Sequence, residues 1–344
     1  MHVSTLRRGG RNGTLAVVTP SGDRAWLEPG GIPTLQAALD DWTAAAPLLR
    51  ECSAQLLADE HSGEKVYAEE FCSPLPAAYE WSEVSSYLPH MERIRAARGL
   101  GLPPEYLSEP IAYQAGSGRF RDPQEDIQLP DPDWCLDLEA TVAVVTDDIA
   151  IGMDANEAAA RILFVMITND LTYRAVMGRE LAKSIGPYQA KPARAFAPIA
   201  VTPDSLGTLW DGRMLHATMR CWVNGELLGS LSTDQDYAFD AGQVLAYLTR
   251  TRALRAGSVV GLGTVSNRNS AHGFGCLAEK RAVESSAGAT AATRWLGYGD
   301  VVRIEAFDTE DNSIFGALNE RVVKPDHPAP AATADSLDLD EKRG

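Results

Sequence analysis

Apolar residues recur along the chain with two different periods, which predict a short mixed segment followed by a long strand-rich one. Leu15-Ala16-Val17-Val18 is an apolar run, and Pro20-Ser21-Gly22-Asp23 after it has turn chemistry, so the pair reads as the start of a strand pair. Leu35, Ala38, Leu39 and Trp42 fall at i, i+3, i+4 and i+7, one face of a helix, with Thr34 placed to cap it. A second helical stretch is predicted over about Leu48 to Leu57, and Asp59 to Lys65 is polar and loop-like. Together these segments predict a small N-terminal β/α domain over residues 1–72.

From Ser73-Pro74-Leu75-Pro76 onward, short strands dominate. Leu136, Leu138, Ala140, Val142 and Val144 alternate with Asp137, Glu139 and Thr141, the period of a strand with one apolar face. The polar face is either solvated or held by partners elsewhere in the fold. Asp154-x-x-Glu157 has the form of a capping box opening a helix. Asn224-Gly225 between two apolar runs predicts a hairpin, because both residues accept the positive φ of a type I′ turn. Phe239 to Thr251 reads as a helix, and Ser258 to Val265 and Asp300 to Ala306 read as strands. The class is α+β, with a catalytic-size domain over 73–323. The tail, 324–344, is rich in proline, alanine and acidic residues, and is expected to be disordered.

Composition narrows the function more than the fold. The 344 residues are 45% hydrophobic, enough for a large core. No run approaches the ~18 apolar residues needed to span a bilayer, and the opening MHVSTLRRGGRNG lacks the apolar core of a signal peptide. A cytoplasmic protein without a membrane partner is expected. The net charge of −16 makes a nucleic-acid partner unfavourable. Five cysteines, with no C-x-x-C, fit buried reduced thiols better than a disulfide framework or a zinc site.

Several polar residues stand at the ends of apolar runs. Phe164 to Asn169 leads to Asp170, and Arg174 follows four residues later. Gln189-Ala190-Lys191-Pro192 precedes Phe196-Ala197-Pro198-Ile199, and Gly261-Leu262-Gly263-Thr264 ends in small and hydroxyl residues. Tyr79-Glu80-Trp81-Ser82-Glu83 leads, seven residues on, to His90. Lys191 and Arg174 could be ordinary ion-pair partners, and His90 could be a surface residue of the charged helical stretch from Met91 to Arg98.

In their order and spacing these segments resemble the fumarylacetoacetate hydrolase family over roughly residues 1–323, beginning with Leu6-Arg7-x-Gly9-x-Arg11-x-Gly13. The resemblance implies a β-rich roll that usually forms a homodimer. It also implies a divalent metal, Mg2+ first and Mn2+ or Ca2+ as alternatives, in an acidic cluster. Carried over residue by residue, the metal ligands are Glu83, Glu139, Asp170 and Thr141. The catalytic residues are His90, oriented by Glu279, and Lys191. Arg174, Gly263 and Thr264 fall at substrate-binding positions. Tyr113, in Pro110-Ile111-Ala112-Tyr113-Gln114-x-Gly116-Ser117, is a candidate contact.

Two positions depart from the family pattern. Glu83 stands where aspartate is usual, and Thr141 replaces the second glutamate of a Glu-x-Glu strand. Thr141 keeps an oxygen but loses a charge, which weakens the expected metal affinity. The implied reaction is hydrolysis of a C–C bond in a 1,3-dicarbonyl, acylpyruvate-like oxo acid through a metal-stabilised enolate, with His90 activating water. Decarboxylation or tautomerisation of a 2-oxo acid, or a specialised biosynthetic reaction on the same fold, is the alternative enzyme reading. A metal-free, non-catalytic binding protein is the alternative of another class.

Overall fold

Two sheets hold all but two of the nineteen described strands in the computed structural model, which describes residues 1–59, 61–116, 118–184, 186–286, 288 and 290–326. The first is twelve-stranded. Its central strands are His2–Leu6, Ala200–Val201, Ile162–Asn169, Ala140–Thr146, Val259–Thr264 and Trp81–Ser85, in that spatial order. The second is five-stranded, built on the hairpin Thr218–Val223/Glu226–Ser232 and on Val301–Phe307. The protein is thus a strand-rich α+β fold, as the period-2 runs predict.

The local signals are met closely. Thr34 accepts a hydrogen bond from Ala37 N at the head of the helix Leu35–Asp40. Asp154 and Glu157 form a reciprocal capping box, and Asn224 and Gly225 turn the hairpin with φ of 54° and 81°. The helix expected over Phe239–Thr251 is shorter, Ala241–Leu248, and starts where Asp240 caps it. The second N-terminal helix runs Trp42–Ala58, earlier than the expected Leu48, with Pro47 inside it. Burial of Ala45, Ala46 and Leu49 outweighs the hydrogen bond that a proline removes. Strands at the chain's start do not form a layer of their own. His2–Leu6 pairs with Thr14–Val18 on one side and Ala200–Val201 on the other, so one sheet runs through both regions.

The strand expected over Leu136–Val144 is interrupted. Leu136–Asp137 pairs with Thr172–Tyr173, Ala140–Thr146 pairs with Ile162–Asn169, and Leu138–Glu139 lies between the two ladders. Leu138 and Val142 still join the apolar core, and the polar alternates are buried rather than solvated. Four cysteines are buried and Cys135 is half-buried, contrary to the expectation that all five are; none is in a disulfide. Of the tail, residues 327–344 lie outside the described residues. Among the described residues, no helix is long and apolar enough to cross a membrane.

Candidate active site

The break at Leu138–Glu139 builds the site. Asn169 replaces the missing ladder partner, its side-chain oxygen accepting from Glu139 N at 3.0 Å. Asp170 N donates to Glu139 O at 2.9 Å. The chain therefore turns both acids toward each other at the end of two paired strands, and Lys191 Nζ lies 2.6 Å from Glu139 Oε2 and 2.6 Å from Asp170 Oδ2. The ammonium also donates to Thr172 Oγ1 at 2.7 Å. Arg174 donates to Glu139 Oε1 at 2.6 Å and to Asp137 Oδ2 at 2.9 Å. Tyr113 OH donates to Asp170 Oδ2 at 3.2 Å.

Glu83 enters from the neighbouring strand, in register with Tyr113 and, in parallel, with Gly261. A Cβ at position 261 would lie 2.0 Å from Glu83 Oε2, so only glycine leaves room for the glutamate arm. Thr141 is fully buried in the strand Ala140–Thr146, opposite Thr168, its hydroxyl without a hydrogen-bond partner. Thr264 stands opposite Thr141 in the ladder, and Gly263, at φ of 95°, packs against the backbone of Val84 and Ser86.

His90 is buried, 8% exposed, on the helix Leu88–Ala96. Its Nδ1 is 2.8 Å from Glu279 Oε1, and its Nε2 faces the acid cluster, 3.9 Å from Glu139 Oε1. Glu279 lies in the first turn of the helix Leu277–Ser286. Asp137 caps that helix, accepting from Leu277 N and Ala278 N. One strand residue thus fixes both the helix carrying Glu279 and the guanidinium of Arg174. Burial works to raise the Glu279 carboxyl, but hydrogen bonds from His90, Ser266 and Arg93 outweigh it and hold it below the usual carboxylate value. Glu139 is likewise opposed by burial, yet Lys191 and then Arg174 hold it low. Both are ionised at neutral pH.

A cavity of about 620 Å³ opens beside the cluster, lined by Trp81, Gln114, Phe120, Tyr188, Lys191 and Arg194 among others. It gives a small molecule access to the buried cations.

A family model for the C-terminal domain of fumarylacetoacetate hydrolase matches residues 81–323, and one for fumarylacetoacetase N-terminal domain 2 matches residues 1–77. The chain belongs to the fumarylacetoacetate hydrolase family. Solved structures of similar fold include a fumarylacetoacetate hydrolase from psychrophilic Exiguobacterium antarcticum, with 16% identity over 94% of this chain and 100% of that one and a TM-score of 0.60. A probable 2-hydroxyhepta-2,4-diene-1,7-dioate isomerase from Mycobacterium abscessus has 17% identity, covers 95% and 100%, and has a TM-score of 0.62. A 5-carboxymethyl-2-hydroxymuconate delta-isomerase from Mycobacterium smegmatis has 18% identity over the same shares, with a TM-score of 0.57. No curated protein matches the chain.

Enzymes of the fumarylacetoacetate hydrolase family typically bind a divalent metal. In this structure the ligand set carried over from the family is engaged by the protein's own cations. Both oxygens of Glu139 already face cations, Arg174 and Lys191, and both oxygens of Asp170 face Lys191 and Arg194. Glu83 Oε2, Thr141 Oγ1 and Asp170 Oδ1 have no hydrogen-bond partner, but burial pushes the Glu83 carboxyl upward, Thr141 carries no charge, and Arg194 lies against Asp170 Oδ1. Among the described residues, the ligand atoms of His90, Cys276 and Glu279 are the group of three that converges within 4.8 Å, and no set of three carboxylates does. That group is the His–Glu pair with a thiol beside it, and its glutamate is committed to Arg93 and Ser266. The expectation of a magnesium-type site therefore meets a cluster already neutralised from within.

Arg93, Asp137, Thr172 and Arg194 are site residues that sequence reasoning missed. Arg93 could have been found, since it stands three positions after His90 and so shares its helix face. Asp137 could have been found as an acid on the same strand face as Glu139. Arg194 had no such signal, because Lys191-Pro192-Ala193-Arg194 follows neither helical nor strand periodicity.

The burial of Glu83 has a measurable consequence. Burial first, and then the charge of Asp170, push its pKa well above the ordinary 4.5. An acid that binds its proton more tightly when folded costs stability as the pH climbs above its unfolded value. The native protein is expected to match Glu83→Gln below pH 4.5 and to lose stability relative to it as the pH rises from there. Urea unfolding of both proteins from acid to neutral pH checks this, and parallel curves would contradict it.

Proposed function

We propose that this enzyme hydrolyses a C–C bond in a small acylpyruvate-like 1,3-dicarbonyl acid. The observation that carries the reading is the His90–Glu279 pair, with His90 Nε2 turned toward the acid–cation cluster. Glu279, ionised, accepts from Nδ1, which leaves Nε2 free of its proton and able to take one from water. The hydroxide so formed adds to the acyl carbonyl. The bond to the central carbon then breaks, and its electron pair passes into the pyruvate half as an enolate. Lys191, at the cavity wall, stabilises the enolate oxygen, and Arg174 keeps Glu139 from repelling it. Protonated His90 returns the proton to carbon, giving pyruvate and a carboxylic acid. The substrate carboxylate suits the guanidinium groups at the site.

The test is turnover of a set of acylpyruvates in 18O-water. Hydrolysis places solvent oxygen in the released acid. Tautomerisation leaves the carbon skeleton whole, and decarboxylation releases CO2 without a second carboxylic acid, so either result would replace this reading. Binding of acylpyruvates with no turnover would favour a non-catalytic protein.

A further inference from the structure

Arg194 is the residue that the reading so far leaves unexplained. It is 3% exposed, with its guanidinium 5.2 Å from the centre of the Trp81 ring. One nitrogen donates to Ala115 O at 2.5 Å, and Nε lies 2.8 Å from Asp170 Oδ1. The contact to Asp170 lacks hydrogen-bond geometry, and Nε and a second guanidinium nitrogen have no hydrogen-bond partner. A buried cation with unused donors, lining the substrate cavity, costs the fold stability unless something else uses it. Across the cluster, Thr141 supplies no charge where its strand neighbour Glu139 supplies one.

We propose that Lys191 and Arg194 stand in for a divalent ion, so that this enzyme holds the oxyanion of its substrate with an ammonium and a guanidinium and needs no metal. The proposal rests on the Glu139–Asp170 cluster being the catalytic centre. Two changes act together in it: Thr141 removes an anionic ligand, and Arg194 places a cation on the remaining oxygen of Asp170. A divalent ion entering here would meet Lys191 and Arg194 at the same carboxylate. From behind the cavity wall, the charge of Arg194 would act on the substrate's carbonyl or carboxylate oxygens.

The experiment is Mn2+ titration of the full-length protein, followed by the electron paramagnetic resonance of free Mn2+. The native protein is expected to leave millimolar Mn2+ free, and chelator is expected to leave both turnover and the thermal midpoint unchanged. Thr141→Glu alone is expected to change little, since Arg194 remains. Thr141→Glu with Arg194→Gln is expected to tighten Mn2+ binding by roughly 10-fold or more, because affinity follows the charge count of the ligands. One Mn2+ bound per native chain at submillimolar affinity would overturn the proposal. So would a folded double variant that binds no better than its parent; if that variant does not fold, the native titration decides alone. Failure of the 18O test would remove the hydrolytic reading without changing the Mn2+ result, so the two can fail separately.

Discussion

Lys191→Met is expected to cost about 3 kcal/mol of folding stability and to abolish turnover. Breaking a buried ion pair from one side typically costs ~3–5 kcal/mol, because the remaining charge is left without a partner in a poor solvent. Lys191 is itself buried and joins two carboxylates, Glu139 and Asp170, at 2.6 Å each. The lower end of the range applies because Arg174 still holds Glu139 and Arg194 still holds Asp170. Methionine fills the volume of the lysine stem, so packing changes little. Urea unfolding supplies the measurement. A second substitution, Asp170→Asn, should recover part of the loss by removing one of the stranded charges. If Lys191→Met proves as stable as the native protein, the cluster is not held together by this ammonium.

The largest kinetic effect is expected at the His90–Glu279 pair. General-base catalysis is worth about 10²–10⁴-fold in rate. His90→Gln should therefore lower kcat by a factor in that range while leaving KM and stability close to native. Glu279→Gln should lower kcat as well. It should also destabilise the fold, since the same carboxylate accepts from Arg93 at 2.7 Å and from Ser266 at 2.7 Å. The double variant should turn over no more slowly than His90→Gln alone, because the two side chains act as one unit and their effects do not add. Additive losses would mean that Glu279 acts independently of the histidine, and an unchanged kcat in His90→Gln would take the base away from His90.

Much of this site was legible because its residues carry local signals. The alternation from Leu136 to Val144 placed Glu139 and Thr141 on one face, and that pattern survives a break in the strand. Asp170 and His90 stand at the ends of segments whose order identifies them. The break at Leu138–Glu139 was not legible, because it depends on the side chain of Asn169, a partner thirty residues away. The start of the helix at Trp42 was hidden by Pro47, whose cost is outweighed by packing that only the folded chain supplies. The neutralisation of the acid cluster from within was equally hidden. A count of ligand types gives the charges of Glu83, Glu139 and Asp170, but not that the pairing of Asn169 with Ala195 sets Arg194 beside Asp170.

The strand His2–Leu6 lies between partners from distant parts of the chain, Thr14–Val18 on one side and Ala200–Val201 on the other. During synthesis its first partner is made almost at once, Phe71–Cys72 then meets Thr5 and Leu6, and Ala200–Val201 comes only after some two hundred residues, so the edge at His2 and Val3 must wait open. Closing so long a loop is entropically costly and slows folding. An exposed edge over that interval is a template for pairing between chains. The protein is therefore expected to depend on chaperones or low temperature for good yield when overproduced. Once closed, the shared sheet couples the amino-terminal region to the strands that carry the acid cluster, and the two should melt as one cooperative unit.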